Sequence, residues 1–150
     1  MRFRNAKPSE ANTLTQLTLA SKAHWGYPDE WMTLWTDDLT ITSNYIAENM
    51  VVVAEGEAGI LGYVSVKNDD GKFYLDNLFI HPSCIRKGIG QKLLAISHNR
   101  CKENGVTQLH VYSDPFSRGF YEKTGAVFVE EVASKVILGR TLPFFTYYIQ

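Results

Sequence analysis

The chain has 150 residues, of which 45% are hydrophobic and 21% charged, a composition that suits one globular domain over residues 1–150. A formal net charge of −1 argues against a global field that would attract nucleic acid or an anionic membrane. Cys84 and Cys101 have neither metal-ligand spacing nor that of a disulfide framework, so we expect free thiols and no metal. Without a signal-peptide run or a membrane-length apolar stretch, the sequence predicts a cytoplasmic protein.

Helical and extended patterns alternate from the N-terminus onward, which indicates a mixed α/β (α+β) domain. A short strand at 3–6 precedes a helix that we expect Ser9 to cap and that carries an apolar stripe at Leu14 and Leu17. An aromatic segment follows, and its side chains suit either the wall of a ligand pocket or the core of two short helices. Its members are His24, Trp25, Tyr27, Trp31 and Trp35.

The rest of the chain alternates in the same way. After a short helix at 43–49, strands are predicted at 50–54, 60–67 and 72–80, with a tight hairpin turn at 68–71 because Asn, Asp and Gly tolerate positive φ. The remaining predictions are a helix at 88–104, a strand at 109–112, a helix at 117–124, and strands at 126–132 and 142–149. The last strand is aromatic on both faces, and an exposed strand of that kind predicts a homodimer.

The segment from Leu78 to Leu94 runs from a strand through a basic loop into a helix that begins with Gly88 and Gly90. The first N–H groups of a helix have no internal partner, and glycines allow a ligand to approach them, so the pattern predicts an anion site. Arg86 and Lys87 add positive charge beside it. Alone, the pattern also fits an ordinary turn before a helix. A dinucleotide fold is disfavoured because three strands precede the loop.

Two motifs resemble those of the GNAT N-acetyltransferase superfamily. Residues 76–82 and 86–90 match its strand and glycine loop, and residues 113–126 match a second block that ends in Phe-Tyr-Glu-Lys-x-Gly. Ile85 and Phe116 differ from the residues that the family usually has there. The resemblance implies the GNAT fold, with a mixed central sheet of about seven strands that is splayed in its middle and has helices on both faces.

The resemblance also implies acetyl-CoA as co-substrate. Its pyrophosphate would lie on the glycine loop, and its pantetheine arm would pair with the end of the third long strand like an added strand. The cofactor-binding residues are then expected to be Leu78, Phe79, Ile80, Arg86, Lys87, Gly88, Ile89, Gly90, Gln91, Asp114, Ser117, Phe120, Tyr121 and Lys123.

For the chemistry, the family motif makes Tyr121 the candidate general acid for the departing thiolate, although the same tyrosine suits simple packing. Asp76 is the candidate general base because period-2 alternation puts it on the face of Leu78; a solvated carboxylate is the alternative. His24, Trp25 and Tyr27 are expected to bind the acceptor, a small amine or a peptide amine. The hypothesis is therefore an N-acetyltransferase that works by direct attack in a ternary complex, and the alternative is a non-catalytic module that senses acyl-CoA.

Overall fold

A seven-stranded mixed sheet forms the centre of the computed structural model, which describes residues 1–150. The strands lie side by side in the order β1-β2-β3-β4-β5-β7-β6. Every neighbouring pair is antiparallel except β4 and β5, which are parallel. Their bounds are β1 Arg2–Asn5, β2 Met50–Gly56, β3 Gly59–Asp69, β4 Lys72–Ile80, β5 Gln108–Tyr112, β6 Val127–Ala133 and β7 Thr141–Tyr148.

Five α-helices accompany the sheet, and none is long and apolar enough to cross a lipid bilayer. They are α1 Ala11–Ala23, α2 Asp29–Leu39, α3 Ser43–Glu48, α4 Ile89–Glu103 and α5 Arg118–Lys123. Short 3-10 turns at Pro8–Glu10, Pro82–Cys84 and Pro115–Ser117 each begin with a proline, whose fixed φ suits the first position of a helical turn.

Helices cover both faces of the sheet because successive strand residues point to opposite sides. On β2, Val52 packs in the core under α4, and its neighbour Val53 packs in a second core under α1. Leu93 of α4 and Leu14 of α1 are completely buried in these two cores. The predicted fold class, with its sheet and its two helical layers, is confirmed.

The sheet is splayed at its middle. β4 and β5 pair only at Phe73 with Leu109 and at Tyr74 with His110, while β4 continues to Ile80. Beyond Tyr74 the two strands are no longer paired, and the edge of β4 that faces β5 is open. This opening lies between the N-terminal and C-terminal halves of the sheet and positions the candidate site.

Local turn chemistry agrees with the sequence. Asp70 and Gly71 have positive φ values of 51° and 88°, so the β3–β4 hairpin turns at the predicted residues. Gly105, with a φ of 73°, follows α4 as the predicted C-terminal glycine.

Two local predictions are wrong. Ser9 does not cap α1, because Pro8 starts a 3-10 turn and the Glu10 carboxylate accepts the Lys7 N–H at 2.8 Å instead. The last strand is not exposed, because β7 lies between β5 and β6 and buries Phe145 completely. The edge strands are β1 and β6, so the homodimer prediction loses the argument on which it rested.

Candidate active site

A groove of about 1130 Å³ lies at the splay, between the ends of β4 and α4 on one side and α5 on the other. It is lined by residues from α1, β4, the β4–α4 loop, α4, the β5–α5 segment and α5. The groove therefore draws on both halves of the sheet, and its volume is large enough for an extended ligand.

The N-terminus of α4 opens into this groove. Gly88, the N-cap, has a φ of 79°, and Arg86, two residues earlier, has a φ of 67°. The first helical backbone bond runs from the Lys92 N–H to the Gly88 carbonyl, so the N–H groups of residues 88–91 have no partner within the helix. With the helix dipole and the Arg86 guanidinium, they provide a site for an anion.

Gly90, in the first turn of α4, lies in the groove lining beside Phe120 and Ile80. A Cβ at this residue would lie 3.6 Å from the Phe120 ring and 3.9 Å from Ile80. Its backbone is helical and both distances are ordinary van der Waals contacts, so neither conformation nor space excludes a Cβ there. The missing side chain keeps the N–H groups of the first turn accessible from the groove.

The structure brings together nearly all the residues predicted to bind the cofactor. Of that set, the ones that line the groove are Leu78, Phe79, Ile80, Arg86, Gly88, Ile89, Gly90, Gln91, Asp114, Ser117, Phe120, Tyr121 and Lys123. Lys87 is exposed outside the lining. Ile85, at the position that departs from the family motif, lies in the lining beside Arg86.

Tyr121 of α5 lines the groove with only 7% of its surface exposed. Its ring lies 6.0 Å from that of Phe145, but its hydroxyl bonds to no protein atom and is not sealed from the groove. Burial, with smaller contributions from Tyr147 and Asp114, raises the pKa of Tyr121 above its ordinary value. The hydroxyl is therefore protonated at neutral pH and free to donate.

Asp76 is not in the groove. The register of β3 and β4 shifts between Ser65–Asn77 and Val66–Leu75, which makes Asp76 the extra residue of a β-bulge. Its carboxylate accepts the Tyr45 hydroxyl at 2.5 Å on the α3 side of the sheet. The prediction that Asp76 lies on the same face of β4 as Leu78 is wrong, because the bulge interrupts the alternation of side chains along the strand.

A charged cluster adjoins the groove, and two of its members, Lys22 and Asp114, belong to the groove lining. The ammonium of Lys22 on α1 donates to Asp114 at 2.6 Å, and the Tyr27 hydroxyl donates to the same carboxylate at 2.7 Å. Arg140 donates to the Tyr27 hydroxyl at 2.9 Å and lies 3.5 Å from Asp114. The cluster ties α1 to the segment after β5 and to the start of β7, across the splay. We call it the Lys22 cluster.

Burial and charge pairing have opposite effects on the pKa values of Asp114 and Lys22. Burial opposes ionisation of Asp114, but the charge and hydrogen bond of Lys22 and the hydrogen bond of Tyr27 outweigh it, so the pKa of Asp114 is lowered. Burial lowers the pKa of Lys22, and Asp114 offsets this only in part. Asp114 is ionised at neutral pH, and its two oxygens are already occupied by protein donors.

The residues of the aromatic segment have different roles: some pack in a core, and one lines the groove. Trp35 is buried in a small core, where its ring also lies 4.4 Å from the Lys22 ammonium. Trp25 lines the groove and stacks on Phe116 from the opposite side, with centroids 5.0 Å apart. His24 is exposed and contacts Trp25 edge-on, outside the groove lining.

Sequence reasoning missed several groove residues. Ser21 and Lys22 sit in α1, which the sequence marked only as an amphipathic helix, and Arg140 completes their cluster from a distant loop. No local sequence motif predicts that these three residues form a cluster, since they meet only when α1 packs against the segment after β5.

The comparison with protein families agrees with this geometry. Residues 30–137 match the acetyltransferase (GNAT) domain family, which is more than half of the chain. The chain belongs to the GNAT acetyltransferase family.

Individual relatives fit the same family. Over 99 residues, 65% of this chain and 65% of the relative, the chain is 32% identical to the peptidyl-lysine N-acetyltransferase YiaC of Escherichia coli K12. The match thus leaves about a third of that protein's length uncovered. Two solved structures share the fold, each at 18% sequence identity. A GCN5-related N-acetyltransferase from Rhodopseudomonas palustris has a TM-score of 0.81, and the match covers 98% of this chain and 94% of that one. PaiA N-acetyltransferase from Thermoplasma acidophilum, in complex with coenzyme A, has a TM-score of 0.79, and the match covers 98% of both chains.

Proposed function

We propose that the protein transfers an acetyl group from acetyl-CoA to a primary amine of a small molecule or peptide, by direct attack in a ternary complex. One observation carries the proposal: a single groove holds the free N–H groups of the α4 N-terminus and the free hydroxyl of Tyr121. The first feature suits a pyrophosphate and the second suits proton donation to a leaving group.

The open edge of β4 supports the placement of the co-substrate. Leu78, Phe79 and Ile80 line the groove on the side where pairing with β5 has ended. Their backbone groups are available to the amides of a pantetheine arm, in the manner of an added strand. Gly90 leaves room for a pyrophosphate beside the helix N-terminus, and Arg86 and Lys123 supply nearby positive charge.

In the proposed reaction, the neutral amine attacks the carbonyl carbon of the thioester, the carbon–sulfur bond breaks, and the amide nitrogen loses its extra proton to solvent in the open groove. The thiolate takes a proton from the Tyr121 hydroxyl, and the tyrosinate regains a proton from solvent. Rate enhancement comes mainly from holding the two reactants in one orientation. Asp76 has no part in this scheme because its carboxylate bonds to Tyr45 outside the groove.

The test is thiol release from acetyl-CoA with a panel of amines, comparing the parent with Tyr121→Phe. The substitution keeps the ring and removes only the hydroxyl, so turnover should fall by roughly 10²–10⁴ while coenzyme A affinity barely changes. Tyr148→Phe, at an exposed tyrosine, is the matched control. If the Tyr121 variant stays within about threefold of the parent, Tyr121 is not the proton donor.

The second candidate is a module that binds acyl-CoA without turnover. Ile85 and Phe116 favour it, because they replace family residues and both line the groove. The same assay separates the two functions: coenzyme A binding with no thiol release from any amine in the panel would identify a sensor.

A homodimer remains an expectation, now for a different reason. The edge strand β6 exposes Val127, Phe128 and Val129, each with more than 40% of its surface accessible. An exposed apolar edge strand invites pairing with a second copy. Light scattering at micromolar concentration is the check, and a monomer mass would reject it.

A further inference from the structure

Two side chains of α1 that line the groove have unused hydrogen-bonding capacity. The Lys22 ammonium has three N–H donors and makes one hydrogen bond, to Asp114. The Ser21 hydroxyl bonds to no protein atom, although the residue is only 8% exposed and lines the groove. Both residues line the groove, so their spare donors are open to a ligand group that enters it.

The charge of the Lys22 cluster points to the sign of that group. Two cations, Lys22 and Arg140, share the single carboxylate of Asp114, and their side chains are only 12% and 10% exposed. The other groove carboxylate, Glu122, lies on α5 and bonds to Arg118. The Trp35 ring lies 4.4 Å from the Lys22 ammonium and 5.0 Å from the Arg140 guanidinium, which offsets part of this surplus, and an anion in the groove would balance the rest.

The same surplus acts against cationic acceptors. A polyamine would bring further positive charge beside the Lys22 cluster, where Asp114 is already bonded by three donors: Lys22, Tyr27 and the N–H of Phe116. An acceptor with a carboxylate near its amine would instead receive hydrogen bonds from the free donors of Lys22 and Ser21. Charge-assisted bonds of this kind are among the strongest that a protein makes to a ligand.

We propose that the acceptor is an amine of the amino-acid type, with a carboxylate a few bonds from the reacting nitrogen, and that Ser21 and Lys22 bind this carboxylate. The inference rests on the proposed acetyl transfer, because it assigns the acceptor end of the same groove. It makes Ser21 and Lys22 specificity-determining residues.

The test compares each of the common L-amino acids with its own primary amide in the thiol-release assay. The two members of a pair differ only in the carboxylate, and we expect kcat/KM for the preferred acid to exceed that for its amide by about tenfold or more. In Lys22→Met the acid-to-amide ratio should fall towards one. Ser21→Ala, which keeps the ion pair intact, should lower the ratio by about threefold. Lys102→Met, at an exposed lysine, is the control.

Three results would overturn the inference while leaving acetyl transfer intact. The first is turnover of amides or spermidine as fast as that of the acids, and the second is an unchanged acid-to-amide ratio in Lys22→Met. The third is equal slowing of acids and amides in that variant, which would place Lys22 on the co-substrate. Calorimetry of the same pairs on protein saturated with coenzyme A gives a readout without turnover. Lys22-dependent binding of an acid with no thiol release would support the inference and reject the proposed function, and no binding of any acid would reject the inference.

Discussion

Two clusters of charged side chains, one near each end of α1, differ in their balance of charge. At the β1 edge, Arg4 donates to Glu10 at 2.7 Å and to Glu55 at 2.9 Å, and Arg2 also donates to Glu55. This Arg4 cluster has two cations and two carboxylates. The Lys22 cluster has two cations and one carboxylate, and its Lys22 and Asp114 line the groove.

The difference separates structure from function. The Arg4 cluster is complete in itself: it connects β1 and the start of α1 to β2, and none of its residues lines the groove. The Lys22 cluster also fastens elements together, but it leaves donors free on the side of a groove. A balanced ion network at a sheet edge needs no ligand, whereas an unbalanced one beside a cavity is a candidate binding site.

The largest expected effect comes from removing the one carboxylate of the Lys22 cluster. Asp114→Asn keeps the shape and the acceptor for the Phe116 N–H but leaves two largely buried cations without a counter-charge. Loss of one partner of a buried pair costs about 3 kcal/mol of unfolding free energy. Urea denaturation measures it, with Asp37→Asn at an exposed aspartate as control. If Asp114→Asn lowers the unfolding free energy no more than Asp37→Asn does, Asp114 does not stabilise the two cations.

A smaller effect is expected at the balanced cluster. Hydrogen bonds from Arg4 lower the pKa of Glu10 from 4.5 to about 2. Because the folded-state pKa is the lower one, this carboxylate stabilises the fold above pH 4.5 and loses its contribution as the pH falls towards 2. Glu10→Gln should cost about 1–2 kcal/mol at pH 7 and flatten the acid limb of the stability curve.

Thermal unfolding from pH 7 down to pH 2.5 measures this effect, with Glu57→Gln, at an exposed glutamate, as the control. Acetyl transfer by Glu10→Gln should match the parent once the protein is folded. An unchanged acid limb, or a loss of activity in folded protein, would remove the distinction between the two clusters.

The smallest effect belongs to the rim of the Arg4 cluster. The Arg2 side chain is 70% exposed, so its bond to Glu55 is screened by solvent. Arg2→Gln should leave the melting temperature within error of the parent in a thermal scan. A shift as large as that of Glu10→Gln would show that the network acts as one unit.

The parts of the site that a continuous segment encodes were predictable. The glycine loop, its helix and the end of β4 form one stretch of sequence, and their residues line the groove as expected. The prediction for Asp76 failed because the bulge in β4 depends on pairing with β3, which no local sequence pattern shows. Ser21, Lys22 and Arg140 were missed because they meet only through tertiary packing. The position of β7 inside the sheet is likewise a matter of topology, and its aromatic pattern alone does not distinguish an interior strand from an edge.

Every proposal for the groove requires that it hold coenzyme A at the N-terminus of α4. The most direct measurement is calorimetric titration of coenzyme A into the parent and into Gly90→Val. The valine side chain would fill the space between Phe120 and Ile80, so affinity should fall by at least tenfold while the melting temperature matches that of Ala95→Val, an exposed change on the same helix. No binding to the parent, or equal affinity in a folded Gly90→Val protein, would contradict the assignment.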